Sequence, residues 1–296
     1  KLIASGKTKV AGTIRGRVSL LGNVPIAMPK TKTPMELQLE VEVPYTKTRL
    51  ANTWNVWVYP PVELPKPKNV QIVKALNADV LDALANGARV LLLLEDKTRA
   101  LGRDDQAFAS VRARFRPQMW EWGHNLGAYV PAHPAFAGFP NTGFSDLQFY
   151  RAIDYGRKII LDDCPFAPLP IVDAIDIPTS GATYCRKATY LFEMAVGKGK
   201  LLVTGFNFTD DNLKHPEVRA LYKSLVDYAA GPSFKPQDQV AVDQLHTYAV
   251  SKKANPRLSG EGYWDLIFYD DTELVGRNKF LDRGEEAPVV RATPSL

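Results

Sequence analysis

The chain has 296 residues, 45% apolar and 23% charged, with a net charge of +5; that length outgrows a single hydrophobic core and predicts two domains. No apolar run approaches the roughly 18 residues of a membrane helix, so no membrane span is expected. Two cysteines, Cys164 and Cys185, are too few for a disulfide scaffold and lack the C-x-x-C spacing of a zinc site.

Residues 7–20, "KTKVAGTIRGRVSL", and 36–43, "ELQLEVEV", alternate polar and apolar residues with period two, the pattern of half-buried antiparallel strands. "TRLANTWNVWVYP" (48–60) continues it, with Trp54, Val56 and Val58 on one face and Asn55, Trp57 and Tyr59 on the other. Residues 1–116 carry 19 Lys/Arg against 10 Asp/Glu, and residues 117–296 carry 18 against 22. The lysines of the basic part alternate with Thr and Val as on solvated strand faces, and no recognition motif accompanies them, so nucleic acid is not an expected partner. The chain starts at Lys1 without a visible leader, which reads as an excised or processed fragment.

"PPVELPKPKN" (60–69) has four prolines in ten residues and reads as a stiff, extended linker. The expected division is a β-segment over 1–60, a linker over 61–69, an α/β domain over 70–231 and a C-terminal extension over 232–296. Beyond the linker the period changes. "VQIV" (70–73) predicts a strand, and "NADVLDALANGA" (77–88) a helix with Val80, Leu81 and Leu84 inward and Gly87 at its C-terminal cap. "RVLLLLED" (89–96) predicts a strand buried on both faces, which completes a βαβ unit and implies a parallel sheet.

Ser145 and Gln148 have capping-box spacing, predicting a helix over 145–154. "ATYLFEMAV" (188–196) and "KLLVTGFNF" (200–208) predict strands joined by a glycine-bearing turn. "HPEVRALYKSLVDYAAG" (215–231) predicts a helix with Val218, Leu221, Leu225 and Tyr228 on one stripe. Residues 238–248 are compatible with a helix and 262–271 with a strand.

Chemistry-bearing residues concentrate in "QMWEWGHNLGAYVPAHPAFAGFPNTG" (118–143). Exposed aromatic rings stack on the apolar faces of sugars while neighbouring polar groups orient hydroxyls. This makes Trp120, Glu121, Trp122, His124 and Tyr129 candidate carbohydrate contacts. No catalytic residue is assigned. Glycoside hydrolysis requires two carboxylates about 5–10 Å apart, and neither Glu121 nor Glu193 has an identified partner. Cys164 lies in "LDDCPF", where Pro165 spoils a nucleophile elbow and two aspartates raise a thiol's pKa; Cys185 lies in "GATYCRK", where Arg186 and Lys187 favour a thiolate but no helix-forming residues follow. His215-Pro216-Glu217 reads as the cap of a helix. His124 and His133 are nine residues apart, and the acidic clusters at 210–212 and 269–271 fit no calcium loop, so no metal or cofactor is expected.

Several of these motifs recur in order in a known family. Trp120, Leu126-Gly127, His133-Pro134-Ala135-Phe136, Phe139-Pro140, Phe149-Tyr150, and Phe192-Glu193 with Val196 through Val203 resemble the C-terminal region of large bacterial family 2 glycoside hydrolases of β-galactosidase-like architecture. The resemblance covers about residues 70–230, and "NTWNVWVYP" is similar to the junction that precedes that region. In "FPNTGFSDLQFY" (139–150) the tryptophans of the corresponding family stretch are replaced. The resemblance implies a class I glutamine-amidotransferase-like, flavodoxin-like α/β domain preceded by the end of an all-β sandwich. It further implies a non-catalytic accessory region of a secreted or periplasmic polysaccharide-degrading enzyme. Its partners would be the catalytic barrel or another subunit of the parent glycosidase, together with oligosaccharide. The alternatives are a Cys-dependent amidohydrolase-like enzyme and a free carbohydrate-binding protein.

Overall fold

The computed structural model describes residues 2–9, 12, 16–20, 22–45, 48–94, 108–113, 115, 127–162, 164–176 and 186–251. Two compact units divide the chain, Lys1–Pro60 and Pro61–Leu296.

In the first unit, strands β1 (Met35–Tyr45) and β2 (Thr48–Val58) pair antiparallel along their full length. The register sets Met35 opposite Val58, Leu37 opposite Val56 and Leu39 opposite Trp54, so the apolar residues of both strands share one face. None of the described residues of this unit is fully buried. The strand expected over 7–20 does not form among the described residues of that stretch, and Val18 and Leu20 face solvent. Alternation fits a strand to a sheet, but only a neighbour's backbone groups make the ladder.

The second unit opens with β3 (Gln71–Val73), α1 (Ala78–Ala85) and β4 (Arg89–Leu93). The Asn77 side chain accepts from the Val80 amide at 2.9 Å and caps α1. Gly87 ends the helix at φ +98°, a left-handed conformation that favours glycine. Next come β5 (Ser110–Arg112), β6 (Ala128–Tyr129), α2 (Tyr150–Ile153), β7 (Arg157–Ile160), β8 (Pro170–Asp176), β9 (Arg186–Val196) and β10 (Gly199–Thr204). The unit continues through α3 (Pro216–Ala230), β11 (Gln239–Val240) and α4 (Val242–Ser251).

The sheet order is β3-β4-β10-β9-β7-β5, with β8 and β11 also on β9 and β6 beyond β8. Within that row only β3, β4 and β10 run parallel; β10–β9, β9–β7 and β7–β5 are antiparallel, as are β8–β9 and β6–β8. The expected flavodoxin-like parallel sheet of the amidotransferase class is therefore corrected to a strand-rich, mixed, curled sheet. The reason is connection length. A parallel neighbour needs a crossover of a dozen or more residues, whereas Gly197-Lys198 alone joins β9 to β10. The βαβ unit at 71–93 is parallel as its pattern predicts, but the sheet does not extend that way.

One face of the sheet buries Val90, Leu92, Phe192, Met194, Leu201 and Val203 with Val80 and Leu84 of α1 and Leu245 and Tyr248 of α4. The alternate residues Leu91 and Leu202 are equally buried, so both faces are covered. Helix α3 packs on β4 and on the turn at Pro134–Phe136 with Val218, Leu221, Leu225 and Tyr228 inward. The Arg89 guanidinium donates to the carbonyls of Ala229, Ala230 and Gly231, placing a cation at the negative end of α3. Arg219 donates to the Val62 carbonyl at 2.9 and 2.6 Å, and Asn69 to the Ala230 carbonyl, which straps the start of the unit along the same helix.

At the end of β10 the backbones cross closely: the Arg157 amide donates to the Gly205 carbonyl at 2.6 Å. A Cβ on Gly205 would lie 1.7 Å from the Arg157 carbonyl oxygen, so only glycine fits. The capping box expected at Ser145 and Gln148 is rearranged. Asp146 caps the Leu147 amide, the Ser145 hydroxyl accepts from the Ala128 amide at 2.8 Å, and Gln148 donates to the Pro140 carbonyl at 2.7 Å. The longer helix gives way to a short turn at Leu147–Phe149 and the four residues of α2.

Candidate functional site

Of the proposed carbohydrate contacts, Trp120, Glu121, Trp122 and His124 lie outside the described residues, and Tyr129 stands on β6. That strand is held from both sides. On one, Ala128 and Tyr129 pair with Ala174 and Asp173 of β8. On the other, Val130 donates to the Gly143 carbonyl, Ser145 to the Ala128 carbonyl, and Tyr129 bridges Phe144. Gly127 and Gly143 flank this ladder at φ +88° and +95°. Residues directly opposite one another in antiparallel pairs point to the same side, so Phe144, Tyr129 and Asp173 leave the sheet together.

The two rings meet edge to face, with centroids 5.9 Å apart and planes inclined by 62°. Tyr129 is 51% exposed and Phe144 65% exposed. Underneath, the connecting loop is fixed by the Ser224 hydroxyl, which donates to the Ala135 carbonyl and accepts from the Gly138 amide. Phe136 and Phe139 anchor it in the interior. The aromatic pair thus sits outward on a braced backbone.

The reactive groups are arranged differently. Cys164 is buried, and desolvation pushes its thiol up to about 11 despite the Phe166 and Ala167 amides that favour the thiolate. Cys185 lies outside the described residues. His133 caps the 134–136 turn, its Nδ1 accepting from the Ala135 amide at 3.2 Å, and its ring meets Tyr228 edge-on at 5.2 Å. Burial lowers its pKa, which favours the neutral imidazole. His215 opens α3 as expected by position, but its side chain makes no capping hydrogen bond.

Glu193 accepts from the Tyr228 hydroxyl at 2.6 Å. Burial raises its pKa against that hydrogen bond, with Asp238 adding to the rise and Lys200 opposing it. Tyr228 is held strongly protonated by burial and by donating to Glu193. The structure therefore gathers His133 and Glu193, from two separated motifs, around one tyrosine. Sequence reasoning missed Tyr228 in this role because a helical stripe marks it only as core.

A second ionic cluster carried no sequence signal. Asp176 is fully buried between Lys158, whose Nζ lies 2.6 Å from Oδ1, and Arg186, whose Nε lies 2.9 Å from Oδ2. Burial alone would raise its carboxyl pKa, but the two cations together hold it below the ordinary carboxylate range. Nearby, Arg157 donates to the Ser110 hydroxyl and carbonyl. These residues come from β5, β7, β8 and β9, so only the sheet register brings them together. Phe144 and Asp173 were missed for the same reason, although "GF" after a proline turn was an available cue.

Among the described residues no group of three or more His, Cys, Asp and Glu could hold a metal ion. Nor is any of their helices long and apolar enough to cross a membrane. Compared with protein families, residues 71–250 match the domain of unknown function DUF8487, and residues 1–60 match the domain of unknown function DUF8488. The first match takes in β11 and α4 and covers more than half of the protein, and the chain belongs to the DUF8487 family. None of the curated proteins matches it.

Proposed function

We propose that this member of the DUF8487 family is a non-catalytic accessory region of a polysaccharide-degrading glycoside hydrolase of the family 2 type. It would act outside the cytoplasm, secreted or periplasmic, beside a catalytic barrel that performs the bond cleavage. Support for this role comes from the ordered motifs from Trp120 to Val203 and from one structural observation, the withdrawal of the reactive groups. Cys164 is a buried, protonated thiol, Asp176 is neutralised by two cations, and Glu193 is committed to Tyr228. Meanwhile Tyr129, the one sugar-contact candidate among the described residues, faces solvent.

The test is turnover by the purified chain. Nitrophenyl glycosides of galactose, glucose, mannose and xylose should release no nitrophenol above the buffer rate. Sustained release that is lost in Glu121→Gln or Glu193→Gln would overturn the proposal. Iodoacetamide at pH 7 should modify Cys164 slowly in the folded protein and rapidly in urea, since thiolate is scarce near a pKa of about 11. Rapid labelling of the folded chain, coupled to loss of an amidase or esterase activity, would restore the thiol-enzyme alternative.

A further inference from the structure

We infer that Tyr129, Phe144 and Asp173 form a contact site for a neutral oligosaccharide chain, an assignment that rests on the accessory role proposed above. The three residues are consecutive across the strands, Phe144 opposite Tyr129 and Tyr129 opposite Asp173. Two residues along β8, Ile175 is 47% exposed and pairs with the exposed Lys187 of β9. The surface is therefore a ring pair with a carboxylate at its side, an apolar shoulder beyond, and one cation at the margin.

Three classes of partner compete for such a patch, and magnitude decides among them. An aromatic side chain offers roughly 150–250 Å²; at these exposures the two rings present on the order of 250 Å² to solvent. A specific protein interface needs about 800 Å² per partner, well beyond what two rings and Ile175 provide. Nucleic acid binds by neutralising several phosphates, and among the described residues of β6, β8 and the paired end of β9 the exposed cation is Lys187, opposite Ile175. A pyranose needs little area: its C–H face stacks on one ring, and a hydroxyl donates to an adjacent carboxylate. Asp173 beside the rings also disfavours a uronate, which would bring a second carboxylate to the same spot. The braced ladder from Gly127 to Val130 and Gly143 to Ser145 lowers the ordering cost of contact.

The experiment is affinity electrophoresis of the full chain in gels containing barley β-glucan, galactomannan, xyloglucan, arabinogalactan or polygalacturonate. At least one neutral polysaccharide should retard the wild type, and polygalacturonate should not. Tyr129→Ala and Phe144→Ala should each weaken retardation tenfold or more, Asp173→Asn several-fold, and Tyr129→Phe less than threefold because the stacking ring remains. Unchanged urea midpoints would establish that the variants fold, as expected for exposed rings. No retardation by any neutral polysaccharide, retardation by polygalacturonate alone, or retardation that survives Tyr129→Ala combined with Phe144→Ala would each overturn the site. None of those results produces nitrophenol, so the accessory reading fails only on its own turnover test.

Discussion

The hairpin of residues 35–58 and the sheet around β9 are both built from strands with clear apolar patterns, yet only the second encloses a core. Along β1 and β2 the pairs Met35/Val58, Leu37/Val56 and Leu39/Trp54 line one face, and Trp54 remains 42% exposed. Around β9, by contrast, Phe192, Met194, Leu202 and Val203 have no exposed surface, because α1 and α4 cover one side and α3 the other. A two-stranded hairpin is marginal in water, whereas three or more strands packed against helices are independently stable. Pattern defines which face wants burial, and cover determines how much stability that face contributes.

The largest expected effect is Phe206→Ala. Phe206 stacks on Tyr190 at 5.8 Å and meets Phe149 and Phe208 at 6.1 Å. Removing it leaves a cavity among rings and should cost about 3–5 kcal/mol in urea denaturation. A loss under about 1 kcal/mol would mean that the second unit is no better packed than the hairpin.

Asp176→Asn comes next, at about 3 kcal/mol, because Lys158 and Arg186 would lose their shared counter-charge in the interior. Its pH dependence follows from the depressed carboxyl pKa. The stabilisation is present above the unfolded value near 3.9 and is lost as pH falls through the folded value. The gap between wild type and variant should therefore be full at pH 7 and shrink below about pH 4. A gap that widens in acid would contradict the ion-pair account.

Leu39→Ala tests the other side of the comparison. On a half-covered face it should cost less than about 1 kcal/mol. A loss comparable to that of Phe206→Ala would reveal cover over the hairpin beyond its own two strands.

Glu193→Gln should give the smallest change and the opposite sign. A raised carboxyl pKa means that folding favours the protonated form, so this group's contribution is most favourable in acid and declines as pH rises through the folded value. The amide keeps an acceptor for Tyr228 and should stabilise the protein at pH 7 by roughly 0.5 kcal/mol, discounted for partial exposure, with no gain near pH 4.

Much of this was legible along the chain. The stripe Val218, Leu221, Leu225 and Tyr228, the inward set Val80, Leu81 and Leu84, and the buried strand at Val90 to Leu93 each lie where periodicity places them. The strands β7 and β8 carried no prediction because "RKII" is too short to show a period and "PIVDAID" is irregular. Its pairing with β9 shifts register between Pro170 and Asp173. Of the candidate site only Tyr129 was both named from sequence and described, whereas Phe144 and Asp173 stand 15 and 44 positions from it.

Local sequence by itself determined the elements whose signals lie within one or two turns of chain: α1 with its Gly87 stop, α3, and the β9–β10 hairpin. Only the tertiary structure decided the mixed direction of the sheet, the enclosure of Asp176 by two cations, and the meeting of Tyr129 with Phe144. Strand order and register depend on ladder bonds and side-chain packing between distant segments, and no single segment carries information about its neighbour across the sheet.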